Sequence, residues 1–294
     1  MNLMEQLQAG QETATLLINC PDQKGLIHNI TQFIYTNGGN VVDLEQHVDA
    51  SESRFFMRIS WDMRDFVIPR EALAAAFQKA LATPFQMEWQ LFFDDQRPRM
   101  AVFVSQHSHC MHDILARYQS GEWPVEIPLV ISNHRVMEEA VTAAGIPFHY
   151  LPMTKDNKAE VEAEQLALLR AANIDVIVLA RYMQILSPAF IEAYPHRIIN
   201  IHHSFLPAFP GAKPYHSAHA RGVKIIGATS HYVTAELDAG PIIEQDVAHV
   251  RHSDDVEDLV RKGRDVEKLV LSRAIWNHLN HKVLVYKNRT VVFE

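Results

Sequence analysis

The chain has 294 residues, 48% hydrophobic and 21% charged, and a formal net charge of −8, which is typical of a globular protein of two domains. Its acidic balance provides no broad basic surface, so a small-molecule substrate is expected rather than a nucleic acid. Two distant cysteines, Cys20 and Cys110, favour a reducing cytoplasm and no disulfide framework. The start lacks a basic and apolar leader, and no apolar run could cross a bilayer. Neither export nor a membrane partner is therefore expected.

Residues 1–93 predict a first domain with the order βαββαβ. Its segments are a strand at 13–20, a helix around 26–34, strands at 42–48 and 55–61, a helix around 73–81 and a strand at 85–91. In the fourth segment Arg54, Arg58 and Ser60 alternate with apolar residues, which predicts a half-buried strand. The order indicates a ferredoxin-like α/β domain with two helices on one face of an antiparallel sheet.

The turn at 20–27 and the segment Asn-Gly-Gly-Asn at 37–40 resemble ACT domains. Such domains often pair with a second copy and bind small effectors, commonly amino acids. The resemblance implies a regulatory domain in a homo-oligomer, a dimer or a tetramer, with an effector site at Asp22, Lys24, Gly25, Leu26, Ile27 and Asn40. The alternative is a domain that only mediates dimerisation.

A polar stretch at 94–98 predicts a linker, and residues 99–294 a second domain. In this domain, predicted strands alternate with predicted helices. The strands are at 100–105, 127–132, near 148, 174–180 and 198–201, and the helices are at about 108, 136–144 and 157–172. This alternation predicts a doubly wound, mostly parallel, Rossmann-like sheet. A strand at 242–250, a helix from about Ser253 that Gly263 could bend, and a hairpin at 283–293 follow.

A cluster of histidines lies at the first strand-to-helix turn of this domain. His107, His109 and His112 surround Cys110, and this spacing can hold zinc. Because no supporting carboxylate lies nearby in sequence, no metal is expected.

The strongest chemical signal joins an amide, an imidazole and a carboxylate. Asn200 and His202 follow a buried strand, and Asp238 precedes Gly240-Pro241. Amide and imidazole can donate hydrogen bonds to a developing oxyanion, and a carboxylate can steer protons. Ligands of open α/β sheets bind at the carboxyl ends of strands. Each residue alone also suits a structural role, but together they predict acyl-transfer chemistry.

The pattern Asn-x-His-x-Ser-x-Leu-Pro-x-Phe-x-Gly at 200–211, with Glu-Leu-Asp-x-Gly-Pro at 236–241, resembles the folate-dependent formyltransferase family. The resemblance implies that Asn200, His202 and Asp238 act on the formyl group of 10-formyltetrahydrofolate. The implied substrate-binding residues are Arg181, Tyr182, Met183, Ile185, Leu186, His203, Ser204, His231, Val233 and Ala235. Alternatively, Met183, Ile185 and Leu186 are core residues, and His203 is structural.

The acceptor of the formyl group is predicted from the turn at 105–109. Relatives that formylate a phosphorylated ribosyl amine have a glycine-rich turn there, whereas this chain has Ser-Gln-His-Ser-His. Little chain follows the last hairpin, so the RNA-binding domain of other relatives is not expected. The resemblance then implies hydrolysis to formate and tetrahydrofolate, which would supply formate for purine synthesis and balance the one-carbon folate pool, without a cofactor. The alternatives are formyl transfer to a small amine and a non-catalytic folate or amino-acid sensor.

Overall fold

The computed structural model describes residues 12–207 and 214–294, which form two units. Of the described residues, the first unit contains 12–97 together with 281–286 and 291–294, and the second contains 98–207, 214–280 and 287–290. The boundary between Arg97 and Pro98 lies within the predicted linker at 94–98. The final segments differ from the prediction, which put all of 99–294 in one domain.

The first unit has a four-stranded antiparallel sheet in the order β2-β3-β1-β4. This order and its helices confirm the ferredoxin-like prediction. The elements are β1 (Thr13–Pro21), α1 (Leu26–Thr36), β2 (Asn40–Asp49), β3 (Arg54–Asp62), α2 (Arg70–Phe77), a π-helical turn (Gln78–Ala82), α3 (Thr83–Phe85) and β4 (Glu88–Phe93). The last strand begins later than predicted, because Phe85 still belongs to the helical segment.

Both faces of the central strands of this sheet are buried. On one face, Ile18 and Trp61 pack with Ile34 of α1 and Phe77 of α2. On the other face, the strands β12 (Val283–Tyr286) and β13 (Arg289–Val292) bring a C-terminal hairpin against the sheet.

The prediction of a half-buried third strand is therefore wrong. Positions 55–61 are all buried, because Leu284 and Phe293 of the hairpin cover Phe56 on the face expected to meet solvent. Arg58 is 9% exposed there, and its guanidinium donates to Asp43 and to the carbonyl of His281. These bonds satisfy a buried cation that would otherwise be costly.

The second unit has a seven-stranded sheet in the order β11-β10-β9-β8-β5-β6-β7. Strands β5 to β9 are parallel, whereas β10 and β11 are antiparallel. This confirms the doubly wound, mostly parallel prediction. The strands are β5 (Arg99–Val104), β6 (Glu126–Ser132), β7 (Phe148–Tyr150), β8 (Val176–Ala180), β9 (Ile198–His202), β10 (Ile225–Tyr232) and β11 (Ile242–His249).

The helices of this unit are α4 (His109–Gln119), α5 (Glu138–Ala143), α6 (Lys158–Ala171), α7 (Pro188–Ala193), α8 (Pro214–Arg221) and α9 (Val256–Leu279). Sequence analysis did not identify α7, α8 or β10. Helix α9 begins with a capping box between Asp255 and Asp258. It continues through Gly263, where a Cβ atom would lie 2.1 Å from the Tyr215 hydroxyl. This glycine makes room for a ring within an uninterrupted helix.

Among the helices within 12–207 and 214–294, none is long and apolar enough to span a membrane.

Candidate active site

The end of strand β9 positions two of the predicted catalytic residues. Asn200 and His202 are two residues apart on this strand, so their side chains leave the same face of the sheet. Strand β10 pairs antiparallel with β9 and places His231 opposite Asn200. The neighbouring parallel strand β8 places Leu179 opposite Asn200. The site is thus built on paired strands that hold its side chains rigidly.

The structure brings Asp238 to His202, as the motif predicts for a working pair. Nδ1 of His202 lies 3.3 Å from Oδ2 of Asp238. Nε2 of His202 is buried and has no hydrogen-bond partner among the described residues. One ring nitrogen is therefore held by a carboxylate, and the other remains available for a reacting group.

Asp238 is held in a left-handed turn with a φ of 55°. Two residues later, a Cβ atom on Gly240 would lie 1.8 Å from the carbonyl oxygen of Tyr232. Only glycine permits this close approach of the two segments. The hydrogen bond from His202 lowers the pKa of Asp238 well below its usual range and outweighs the effect of burial. Asp238 is an anion at neutral pH.

His231 links the amide of Asn200 to the same carboxylate. Nδ1 of His231 lies 3.0 Å from the carbonyl oxygen of Tyr232, so Nδ1 carries the hydrogen. In this tautomer Nε2 accepts from the Asn200 amide at 3.2 Å, and it lies 3.7 Å from Oδ1 of Asp238. The contact fixes the direction of the amide group and leaves its second N–H available.

The chain after His202 is held by two polar residues that sequence analysis missed. The hydroxyl of Thr229 donates to the carbonyl of Ser204 at 2.9 Å and accepts from the Leu206 N–H at 3.0 Å. Gln245 donates to Thr229 and to the carbonyl of Leu206. The sequence signal for this role is weak: a threonine within the buried strand β10 and a glutamine on the neighbouring strand β11. The motif residues 208–211 lie outside the described residues.

The residues predicted to line the folate pocket fall into two groups. Met183, Ile185 and Ala235 are exposed, and Val233 and His203 are half-buried. The others are buried: Arg181, Tyr182, Leu186, Ser204 and His231. Tyr182 lies in the core, where its hydroxyl accepts from Gln165 at 2.8 Å. Arg181 and Met183 have left-handed φ angles of 62° and 60°, a conformation that clusters at functional sites in non-glycine residues.

A charged network that sequence analysis missed surrounds Glu267 of α9. This carboxylate is 1% exposed and accepts from the Tyr215 hydroxyl and from Nε2 of His109, each at 2.7 Å. Nε of Arg181 lies 3.5 Å away. The signal in the sequence is a glutamate on the apolar stripe of a helix, between Val266 and Val270.

The same network bears on the predicted absence of a metal. His109, Cys110 and Glu267 have ligand atoms within 4.8 Å of one another, whereas His112 is exposed. Both oxygens of Glu267 already accept hydrogen bonds, and the guanidinium beside them would repel a cation. The contacts therefore favour an ion-pair network over a metal site.

The turn after β5, expected to lack a phosphate cradle, is filled by side chains. His134 lies 3.1 Å from the Ser105 hydroxyl and 2.9 Å from Nε2 of Gln106. His107 is half-buried, and burial together with the charge of Arg181 lowers its pKa.

Most of the predicted effector residues of the first unit lie at the start of α1, but Asn40 begins β2 beyond the end of that helix, where it pairs with Asp62 at the opposite end of the sheet. Gly25 caps this helix with a φ of 91°, which a residue with a side chain adopts only with strain. Leu26 is buried, whereas Asp22, Lys24, Ile27 and Asn40 are exposed.

The chain is similar to known proteins over most of its length. The family model described as formyl transferase matches residues 98–275. The chain is 56% identical to a formyltetrahydrofolate deformylase of Synechocystis sp. over 281 residues, 96% of this chain and 98% of the relative. It is 48% identical to one of Bacillus subtilis, with 99% and 97% covered. The crystal structure of a formyltetrahydrofolate deformylase from Pseudomonas syringae pv. tomato superposes with a TM-score of 0.94 at 44% identity, covering 99% of this chain and 98% of that one.

Proposed function

Since the chain belongs to the formyl transferase family, and within it to the formyltetrahydrofolate deformylases, we propose that it hydrolyses 10-formyltetrahydrofolate to formate and tetrahydrofolate. It is then a hydrolase acting on a formamide C–N bond. The observation that carries this function is the buried Nε2 of His202, which has no partner among the described residues while Nδ1 faces Asp238.

His202 acts as the base that activates water. An ionised Asp238 only accepts hydrogen bonds, so it selects the tautomer with the hydrogen on Nδ1. Nε2 of that tautomer has a lone pair and can take a proton from a water molecule as the water oxygen attacks the formyl carbon. Asp238 then stabilises the imidazolium that forms.

Asn200 stabilises the formyl oxygen as it becomes an oxyanion. The contact with His231 uses one N–H of the amide and leaves the other for the oxyanion. The protonated Nε2 of His202 joins it as a second donor. When the C–N bond breaks, the proton on His202 passes to N10 of the folate, and the formic acid ionises.

Water is the acceptor in this proposal, because side chains fill the turn where a phosphorylated acceptor would need close backbone approach. The ring of His134 lies within hydrogen-bonding distance of the Ser105 and Gln106 side chains, and His109 hydrogen-bonds to Glu267. All steps are assigned to side chains, so the folate is the substrate and no resident cofactor or metal takes part. The formate would serve purine synthesis and the one-carbon pool, in a cytoplasmic enzyme.

The test is formate release from 10-formyltetrahydrofolate without any amine, for the wild type, Asp238→Asn and the control Asp265→Asn. Asp265 is exposed on α9 and pairs with Lys268. We expect release by the wild type and the control, and a kcat lower by about 10²–10⁴ in Asp238→Asn. Turnover that appears only with an added amine would make the protein a transferase. Folate binding without any turnover would make it a sensor.

The first unit is proposed to bind an amino-acid effector around Gly25 and to pair with a second copy. The exposed edge strand β2 supports pairing, since Val42, Leu44 and Val48 are 52%, 36% and 38% exposed. A thermal-shift screen of the amino acids, repeated with Gly25→Ala, tests the effector site. That proposal is refuted if no amino acid stabilises the wild type.

Analytical ultracentrifugation of the wild type and of Val42→Lys tests the pairing. A monomeric wild type would refute it.

A further inference from the structure

Glu267 supplies a permanent negative charge inside the second unit. Burial raises the pKa of its carboxyl group, but the hydrogen bond from His109 and the charge of Arg181 outweigh burial and lower the pKa to about 2. Both carboxylate oxygens accept short hydrogen bonds, one from Tyr215 and one from His109. Each oxygen of this anion therefore accepts a hydrogen bond from a donor other than Arg181.

Arg181 is a buried cation whose hydrogen-bond donors are not all used. Its side chain is 8% exposed, and Nε lies 3.5 Å from Glu267 in a geometry that makes an ion pair but no hydrogen bond. Within the described parts of the chain, neither Nε nor Nη1 has a hydrogen-bond acceptor. A buried guanidinium with unmet donors is costly, so the arrangement indicates a missing acceptor.

The position of Arg181 relates it to the reacting groups. Leu179 of β8 lies opposite Asn200 of β9 in parallel register, and the chain turns at Arg181 just past the end of β8, at the same edge of the sheet as the end of β9. The charge of Arg181 adds to burial in lowering the pKa of His203, the neighbour of His202, to about 4. The charge of Arg181 also lowers the pKa of His107, after the larger effect of burial. The guanidinium thus lies near His203 and His107, close to the end of the catalytic strand.

We propose that Arg181 forms a subsite for formate, where the unused N–H groups of its guanidinium hold the product carboxylate beside His202. This inference rests on the proposed hydrolysis. Water adds to the formyl carbon, the C–N10 bond breaks, N10 takes one proton, and formic acid loses the other to give formate. The two oxygens of formate match the planar fork of a guanidinium. Glu267 offsets part of the positive charge of Arg181. The subsite therefore binds a small monoanion weakly enough to release it.

The alternative is that Arg181 is only a counter-ion of Glu267. Two substitutions distinguish these roles. Arg181→Lys keeps the charge and the ion pair but loses the fork, whereas Arg181→Gln also loses the charge. Arg197, which packs on the ring of Tyr194, provides the matched control Arg197→Lys.

The first experiment measures binding of ¹³C-formate to the enzyme by NMR titration, with chloride at equal ionic strength as the reference. We expect saturable binding to the wild type and to Arg197→Lys, and binding weaker by at least about tenfold in Arg181→Lys, which corresponds to about 1.4 kcal/mol. Unchanged formate affinity in Arg181→Lys, or no saturable binding to the wild type, would overturn the subsite.

The wild type alone provides a second measurement if the variants do not fold. Formate should inhibit turnover and should shift the Arg181 ¹⁵Nε resonance at the same concentrations. Inhibition without that shift would place formate elsewhere and refute the proposal. Because binding is measured without turnover, an active enzyme that does not bind formate refutes only the subsite, whereas an enzyme that releases no formate from the folate refutes the proposed function.

Discussion

Asn200 and His231 lie on adjacent antiparallel strands, with Nδ2 of the amide 3.2 Å from Nε2 of the ring. The carbonyl of Tyr232 fixes the tautomer of this ring, and the ring in turn fixes the amide. A peptide carbonyl therefore determines, through one histidine, the direction in which Asn200 can donate.

Replacing His231 tests this relationship. His231→Asn keeps an amide near the carbonyl of Tyr232 but loses the acceptor for Asn200, whereas His231→Gln can place an oxygen where Nε2 lies. We expect kcat to fall about 10-fold to 10²-fold in His231→Asn, since small misplacements of a catalytic group have such effects, and to fall less in His231→Gln. Equal kcat values in the two variants would contradict the positioning role. Steady-state kinetics of formate release provide the measurement.

Substitution of Asn200 tests the oxyanion donor itself. Loss of one donor should lower kcat by about 10²–10³ in Asn200→Ala. Asn200→Asp should be worse, because a carboxylate beside Asp238 repels the oxyanion that it should stabilise. The comparison of kcat with KM is decisive: a rise in KM at constant kcat would mean that Asn200 only binds the folate.

Gly263 should be intolerant of alanine although it lies within a helix. Alanine normally favours a helix by about 1 kcal/mol over glycine, but here its Cβ would lie 2.1–2.5 Å from atoms of the Tyr215 ring. We expect Gly263→Ala to lower Tm and to displace Tyr215 from Glu267. A raised Tm would show that the ring moves away freely. Thermal unfolding measures this effect.

The burial of His278 makes stability depend on pH. The Tyr232 hydroxyl lies 2.7 Å from Nδ1 of His278, and burial lowers the pKa of His278 from 6.5 to about 4. As pH falls below 6.5, the unfolded state binds this proton first, so stability decreases until the pH reaches the folded-state pKa. His278→Gln cannot titrate, so its Tm should fall less between about pH 7 and about pH 5.

His203 contributes a change of the same sign, since its pKa is also lowered to about 4. The substitution of His278 should therefore reduce the acid destabilisation without abolishing it. Parallel Tm profiles of the wild type and His278→Gln would exclude His278 as a source.

The hairpin residue Phe293 should stabilise the first unit. Phe293 is 4% exposed and packs in a cluster with Leu17 and Phe56. Truncation of a buried phenylalanine costs about 3–5 kcal/mol, so Phe293→Ala should markedly lower the denaturant midpoint. The neighbouring Val292 is 37% exposed, so Val292→Ala should change the denaturant midpoint little. Similar midpoints for the two variants would show that the hairpin does not cover the sheet in solution.

The sequence by itself determined the two fold classes and the chemistry of the motif. The alternation of polar and apolar residues is a local property, so it predicted most of the strands and helices. Their order along the chain then indicated a βαββαβ domain and a doubly wound sheet. The motif likewise contained Asn200, His202 and Asp238 in recognisable surroundings.

Only the tertiary structure decided what lies far apart in sequence. The cover of Phe56 by Phe293, the contact of Asn200 with His231, and the meeting of Arg181, His109 and Tyr215 at Glu267 all join distant segments. No local pattern encodes these partners, because burial and pKa depend on which strand or helix lies alongside. A glutamate on an apolar helical stripe indicates that a partner must exist, and the fold determines which one.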